Sequence, residues 1–287
     1  MLKPKKSIEN MIGYNVSLYE KEWDLKIDSN ENNYGPSPVV IKALTETDIK
    51  QIQFYPFYGI ISEKIADYNG VSIDNVKVTN GADEAISAII QTYLSETDSL
   101  LTLDISFEMP VIYSQIQGGN IIKVPYQEKW KFPLNNFLSE IKNPSVKVIY
   151  IASPNNPTGS TINKEDLEKV IINSPDKAVI IDETYANYSD VSFVDFAKKY
   201  DNVFVVKSFS KDFALAGLRL GYIITDKENI VNLKKVVSPF SVNSYAITAG
   251  IAALSDIQYF SNIKNEIISS RHELSLFFQS LGAVVYN

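Results

Sequence analysis

Val205-Val206-Lys207-Ser208-Phe209-Ser210-Lys211-Asp212-Phe213-Ala214-Leu215-Ala216-Gly217-Leu218-Arg219-Leu220-Gly221-Tyr222 decides how the rest of the chain is read. The apolar run Val203 to Val206 predicts a buried strand. It stops at Ser-Phe-Ser-Lys, and an Ala/Gly/Leu-rich segment then carries Arg219. Burial disfavours an ammonium and pushes lysine toward the free amine. A free amine attacks carbonyls to make Schiff bases. Two serine hydroxyls and a guanidinium beside it suit a phosphate, since arginine forks onto phosphate oxygens and hydroxyls donate to them. An amine with a phosphate grip points to pyridoxal 5'-phosphate, an aldehyde that carries a phosphate. A solvated lysine on a strand-to-helix turn, with Arg219 paired to a surface acid, fits the same residues. The rest of the chain has to decide between the two.

Composition narrows the field. With 287 residues, 45% hydrophobic and 21% charged, the chain is long enough for one large core and a smaller partner domain. A formal charge of −7 argues against nucleic acid as the main ligand. Lys3, Lys5 and Lys6 make a basic start, but no long apolar stretch follows, so it does not read as a signal peptide. No run approaches the roughly 18 apolar residues of a membrane span. The expected location is cytoplasmic, with neither membrane nor nucleic acid as partner. Cysteine is absent and His272 is the single histidine, which leaves no disulfide, no thiolate metal site and little material for a Ser-His-Asp triad. No metal is expected.

Strand and helix signals alternate along the chain. Leu25 to Asp28 reads as a short strand, followed by an Asn/Gly/Pro loop, and Ser37-Pro38 reads as a helix start. Phe54-Tyr55-Pro56-Phe57-Tyr58-Gly59 is an aromatic loop suited to packing, in the core or on another subunit. Val76–Thr79 predicts a strand that ends at Asn80-Gly81-Ala82-Asp83-Glu84, where a helix opens. Free N–H groups at such a helix start can hold an anion, although ordinary capping explains the same residues. Further strands are predicted at Ser99–Leu103, Ile121–Val124, Val146–Ala152 and Ala178–Ile181. Helices are expected at Leu134–Ile141, Lys164–Ile172, Tyr245–Leu254 and Ile257 to about Phe278, then a strand from Gly282 to Asn287. Continuous apolar strands separated by helices predict an α/β fold with a mostly parallel sheet covered on both faces. Ligands gather beyond the carboxyl ends of such strands. Gly81, Phe107, Asn156, Asp182 and Lys211 all follow predicted strands.

Asp182, at the end of an apolar strand, is the candidate acid for a pyridine nitrogen, although a turn aspartate fits equally. Asn156 and Tyr185 can donate to a ring oxygen, and Phe107 can stack on the ring.

Taken in order, these residues resemble the class I/II aminotransferase family of fold-type I pyridoxal enzymes. The resemblance rests on Ser153-Pro154-Asn155-Asn156-Pro157-Thr158-Gly159, Asp182-Glu183-Thr184-Tyr185 and Ser208-Phe209-Ser210-Lys211 through Arg219, and it covers about residues 28 to 287. Asn30-Glu31-Asn32, Tyr55-Pro56, Asn80-Gly81-Ala82-Asp83-Glu84 and Lys211 through Arg219 are similar to the histidinol-phosphate aminotransferase branch.

By that resemblance Lys211 holds the cofactor's aldehyde and moves the substrate proton. Asp182 pairs with the ring nitrogen, Asn156 and Tyr185 with the ring oxygen, and Phe107 stacks. Ala82, Asp83, Ser208, Ser210 and Arg219 form the phosphate cup, and Tyr55 reaches the phosphate of the partner subunit's cofactor in a homodimer with shared sites. Asn32 and Tyr34 approach the substrate. The expected partners are an amino-acid or amino-alcohol phosphate and 2-oxoglutarate. The implied fold is a seven-stranded-type sheet sandwiched by helices, with a smaller α+β domain that reads as C-terminally truncated. The implied divisions are an N-terminal arm at 1–34, a large cofactor-binding domain at 35–245 and the start of a small domain at 246–287.

Three departures stand out. Asn33 replaces the proline that commonly follows Asn-Glu-Asn, and Pro110 follows Met109 where the family has a tyrosine. Relatives also continue past Asn287 with a segment that supplies a substrate-gripping arginine, which neither Arg271 nor any other arginine here matches. An aminotransferase for another substrate, a decarboxylase of a phosphorylated amino acid and a non-catalytic homologue remain open alternatives on these residues.

Overall fold

The apolar runs become strands buried on both sides. The structure, a computed structural model, describes residues 2–9, 11–14, 26–189 and 191–286. Among them are seven strands: β1 (Val76–Asn80), β2 (Ser99–Leu103), β3 (Asn120–Val124), β4 (Val146–Ala152), β5 (Ala178–Asp182), β6 (Val203–Ser208) and β7 (Leu220–Ile224). They form one sheet in the order β1-β7-β6-β5-β4-β2-β3. Strands β2 to β6 pair in parallel, and β7 runs antiparallel to both β1 and β6.

Each face has its own core. Val148, Tyr150, Ile180, Phe204 and Val206 pack against Ala85, Ile86, Ile89 and Ile90 of the helix Gly81–Tyr93. On the other face Ile149, Ile151, Val179, Ile181 and Val205 meet the helices Leu134–Ile141, Lys164–Ile172 and Ser244–Leu254. Full burial of one such aliphatic side chain contributes about 1.5–3 kcal/mol. A charge at fully buried Ile180 or Ile181 would forfeit that and add the cost of an unpaired ion. Helix starts follow the capping residues: Ser37 Oγ accepts from Val40 N at 3.3 Å, and Asn163 Oδ1 from Asp166 N at 2.8 Å. No helix among the described residues is long and apolar enough to cross a membrane.

Strand β7 has no forecast in the sequence, because Gly221 interrupts Leu220-Gly221-Tyr222-Ile223-Ile224 and weakens the strand signal. The glycine is there for contact. A Cβ on Gly221 would lie 2.5 Å from Gly81 C and 2.7 Å from Ala82 N, so β7 presses directly on the start of the helix Gly81–Tyr93. Gly81 itself has φ +76, a left-handed conformation that glycine adopts without strain.

Two expected strands are corrected. Ala283–Tyr286 follows Gly282, which closes the long helix Ile257–Ser280 at φ 85, and forms no ladder with any described strand. Lys26 to Asp28 is also outside any strand; its neighbour Leu25 lies outside the described residues, as does the whole of the expected arm between 15 and 25.

Candidate active site

Parallel strands deliver their last residues to one edge of the sheet. Asn80, Leu103, Ala152, Asp182 and Ser208 end β1, β2, β4, β5 and β6 there. Because β7 is antiparallel, it begins at that same edge and brings Arg219 with it. A cavity of about 880 Å³ opens along this edge. Its lining includes Ala82, Asp83, Phe107, Asn156, Asp182, Tyr185, Ser208, Ser210, Lys211 and Arg219.

The loop that carries Lys211 is pinned by its aromatic residues. Phe209 is fully buried, with its ring centroid 4.8 Å from that of Phe213 and 5.8 Å from that of Tyr222. Phe209 N donates to Leu220 O at 2.9 Å, and Ser210 N to Ser208 Oγ at 3.1 Å. With Phe209 and Phe213 fixed in the core, Ser208, Ser210 and Lys211 line the cavity. Burial, and then the nearby Arg219 charge, hold the Lys211 amine below its ordinary pKa. Lys211 Nζ donates to Ser29 O at 2.5 Å and lies 5.8 Å from the centre of the Tyr185 ring.

Asp182 is a buried carboxylate held by neutral donors. Oδ1 accepts from Thr184 N at 2.9 Å, and Oδ2 accepts from the Tyr150 hydroxyl at 2.7 Å. Burial raises its pKa, and the hydrogen bonds from Thr184 and Tyr150 oppose the rise. Among the described residues no lysine or arginine forms an ion pair with it. The Tyr185 hydroxyl accepts from Asn30 Nδ2 at 3.0 Å, and burial raises its pKa too. Phe107 packs against the core beneath the cavity.

The residues expected to hold a phosphate gather at the β1–β7 end. Arg219, in the left-handed region at φ 57, directs Nη1 to Ala216 O at 3.1 Å and Nη2 to Asp83 Oδ2 at 2.7 Å. Ala82 and Asp83 open the helix Gly81–Tyr93, whose first-turn N–H groups have no partner within the helix.

Three predicted site residues lie elsewhere. Tyr55 is 72% exposed and stacks on Phe240 with centroids 4.3 Å apart, beside a separate cavity of about 310 Å³. Tyr34 is exposed and does not line the main cavity. Asn32 forms a local turn instead, with Oδ1 accepting from Tyr34 N at 3.0 Å and Nδ2 donating to Asp212 O at 3.3 Å. Ser29, Asn30 and Glu31 occupy the cavity wall in its place.

Sequence patterns also pass over Tyr150. The one available signal is a phenol inside an otherwise aliphatic strand end, since a buried tyrosine hydroxyl needs a partner.

The donor set fits pyridoxal 5'-phosphate. A buried carboxylate served only by neutral donors calls for a cation, which a protonated pyridine nitrogen provides. A lysine drawn toward its free amine suits an aldehyde, and hydroxyls, guanidinium and helix N–H groups suit a phosphate.

Comparisons with known proteins bear on the family and the fold. The family model for aminotransferase class I and II matches residues 24–287. A histidinol-phosphate aminotransferase of Brachyspira hyodysenteriae is 33% identical over 264 residues, covering 90% of this chain and 73% of the relative. The crystal structure of the histidinol-phosphate aminotransferase from Clostridium acetobutylicum superposes with a TM-score of 0.75 at 28% identity, over 82% of this chain and 71% of that one. That of the Sinorhizobium meliloti enzyme, in complex with pyridoxal 5'-phosphate, shares the fold with a TM-score of 0.83 at 22% identity, over 88% and 70% of the two chains.

Proposed function

The chain belongs to the class I and II aminotransferase family, and we propose that it moves an amino group from histidinol phosphate to 2-oxoglutarate with pyridoxal 5'-phosphate as cofactor. The products are imidazole acetol phosphate and glutamate, a step of histidine biosynthesis. One observation carries the reading: Asp182, a buried carboxylate without a cationic partner among the described residues, shares a cavity with Lys211, whose amine burial holds below its ordinary pKa, and with the guanidinium of Arg219.

Bound there, the cofactor supplies an aldehyde for the amine and a protonated ring that draws electrons from the substrate's amino-bearing carbon. Lys211 Nζ would hold the aldehyde before substrate arrives and, as a free amine once the substrate's nitrogen has taken its place, would be the base for the proton on that carbon. Asp182 keeps the ring nitrogen protonated, with its own charge steadied by Tyr150 and Thr184. Asn156 and Tyr185 would donate to the ring oxygen, and Phe107 would cover one ring face. Ser208, Ser210, Arg219 and the backbone at Ala82 and Asp83 bind the phosphate. Arg219, held beside Asp83 at 2.7 Å, has the planar fork that would bind a phosphate bidentately.

In the same reading the enzyme works in the cytoplasm as a homodimer, and the exposed Tyr55 reaches the partner's phosphate site. Asn32 and Tyr34, expected at the substrate, lie outside the cavity wall, and Asn30, on the Tyr185 hydroxyl, is the nearer candidate for that role. Residues 35–245 form the cofactor-binding unit, with 1–34 as its arm and 246–287 beginning a smaller one.

Purified protein supplied with the cofactor, histidinol phosphate and 2-oxoglutarate should form glutamate, and Lys211→Ala should not. Glutamate formed only from other amino donors would reassign the substrate. Carbon dioxide released from a phosphorylated amino acid, without glutamate, would replace transamination with decarboxylation.

A further inference from the structure

A second ionisable cluster sits behind the cavity wall and takes no part in the chemistry above. Glu183, Lys207 and Asp212 directly adjoin the cavity residues Asp182, Ser208 and Lys211. Side chains alternate along a strand, so neighbours at the ends of β5 and β6 face opposite sides. Lys207 Nζ and Glu183 Oε2 lie 2.8 Å apart, with side chains 10% and 0% exposed. The Glu183 carboxylate also accepts from Ser192 Oγ at 3.0 and 3.2 Å and from Phe193 N.

The pair bridges the two strands just beyond their ladder. Asp182 is in register with Val206, and Glu183 N donates to Val206 O at 2.8 Å. Lys207 is also in register with Tyr222 of β7, whose hydroxyl accepts from Asn69 Nδ2 at 3.1 Å. Asp212 extends the cluster by accepting from Asn187, which lies in the turn directly after Tyr185. Replacing a buried ion pair with neutral groups is often neutral or stabilising, so stability alone does not account for keeping this one. A short, largely buried link between two strand ends constrains their axial offset.

We propose that Lys207, acting through Glu183, is a positioning residue that fixes the β5 end carrying Asp182 against the β6 end carrying Ser208 and Lys211. The proposal rests on the functional reading above. Asp182 and Lys211 must meet opposite ends of one rigid ring, and a misplacement of about 1 Å can cost about 10²-fold in rate.

Three variants test it: Lys207→Met, the double variant Lys207→Met/Glu183→Gln, and Glu183→Asp, which keeps both charges but shortens the link by one methylene. Lys207→Met should lower the thermal midpoint of the apo-protein by leaving Glu183 buried and unpaired, and the double variant should restore it. Despite that recovery, the double variant should release cofactor about tenfold faster and shift the pH midpoint of the bound cofactor's absorbance, with kcat about tenfold lower at unchanged KM. Glu183→Asp should show the same signs, and it carries the test alone if the double variant fails to fold. Cofactor release, absorbance midpoint and kcat equal to those of an active wild type, in whichever of these two variants folds, would overturn the positioning role. A wild type that takes up no cofactor would overturn the functional reading, and this proposal with it.

Discussion

Tyr150 and Asp182, on the adjacent parallel strands β4 and β5, are joined by a 2.7 Å hydrogen bond from a fully buried phenol to Oδ2 of the carboxylate. Only Thr184 N gives Asp182 another donor among its described contacts. A hydrogen bond to a charged group contributes about 1.5–3 kcal/mol, so it weighs heavily on whether this carboxylate stays ionised. Tyr150→Phe keeps the ring and removes the donor. Its kcat should fall roughly tenfold while far-ultraviolet circular dichroism stays unchanged. An unaltered rate across the pH range would reduce Tyr150 to a core filler.

Asp182 and Asp212 make opposite demands on stability and on chemistry. Burial raises both pKa values, that of Asp212 to about 6, from an ordinary carboxylate value near 4. A raised folded-state pKa means that the stabilising contribution is fully present below the unfolded value of about 4 and is lost as pH rises through the folded value. Apo wild type should therefore lose stability between about pH 4 and pH 6 relative to Asp212→Asn, as read from denaturant midpoints. Asp182→Asn should likewise raise the apo midpoint at neutral pH, yet reduce amino transfer by about 10²-fold or more. Equal midpoints for wild type and Asp212→Asn at every pH would show that Asp212 carries no raised pKa.

Gly221→Ala tests the contact between β7 and the start of the helix Gly81–Tyr93. The added Cβ would meet backbone at 2.5 and 2.7 Å, and backbone cannot swing aside as a side chain does. Overpacking of this kind costs about 1–3 kcal/mol, and here it would also displace the N–H groups of Ala82 and Asp83. Both the apo thermal midpoint and cofactor retention should fall. Gly217→Ala, whose Cβ meets nothing within 4 Å, should leave the apo midpoint in place. Equal behaviour of the two substitutions would refute the contact.

What the sequence discloses follows from how local each cause is. Strands buried on both faces are largely apolar runs, so β4, β5 and β6 are readable; Asp182 stands out where β5 stops, and Lys211 three residues beyond the end of β6. Strand β7 is hidden because its glycine serves a helix start far away in sequence. The Tyr150–Asp182 bond depends on the pairing of β4 with β5, which no local pattern states. Within Ser29-Asn30-Glu31-Asn32-Asn33, composition does not distinguish the asparagines. Left-handed φ values of 59 at Ser29 and 48 at Asn30 turn the chain so that Asn30 meets Tyr185.

In the proposed reading Tyr55 would link assembly to the site. Its ring stacks on Phe240 of the same chain, yet it remains 72% exposed, beside Phe54 at 61% and Phe57 at 90%. Aromatic surface of this density suits a subunit interface. Tyr55→Phe preserves the stacking but removes the hydroxyl, so cofactor retention should weaken by roughly ten- to a hundred-fold if that hydroxyl grips a phosphate. Mixing inactive Lys211→Ala with inactive Tyr55→Ala protein then asks which chain the hydroxyl serves. In a mixed two-fold dimer one site carries both lesions, and the other combines an intact Lys211 with the partner's intact tyrosine. At full exchange half the dimers are mixed and half of their sites are whole, so activity should recover to about a quarter of wild type. No recovery despite demonstrated exchange, or a monomer with full activity, would mean that Tyr55 acts within its own chain or not at all.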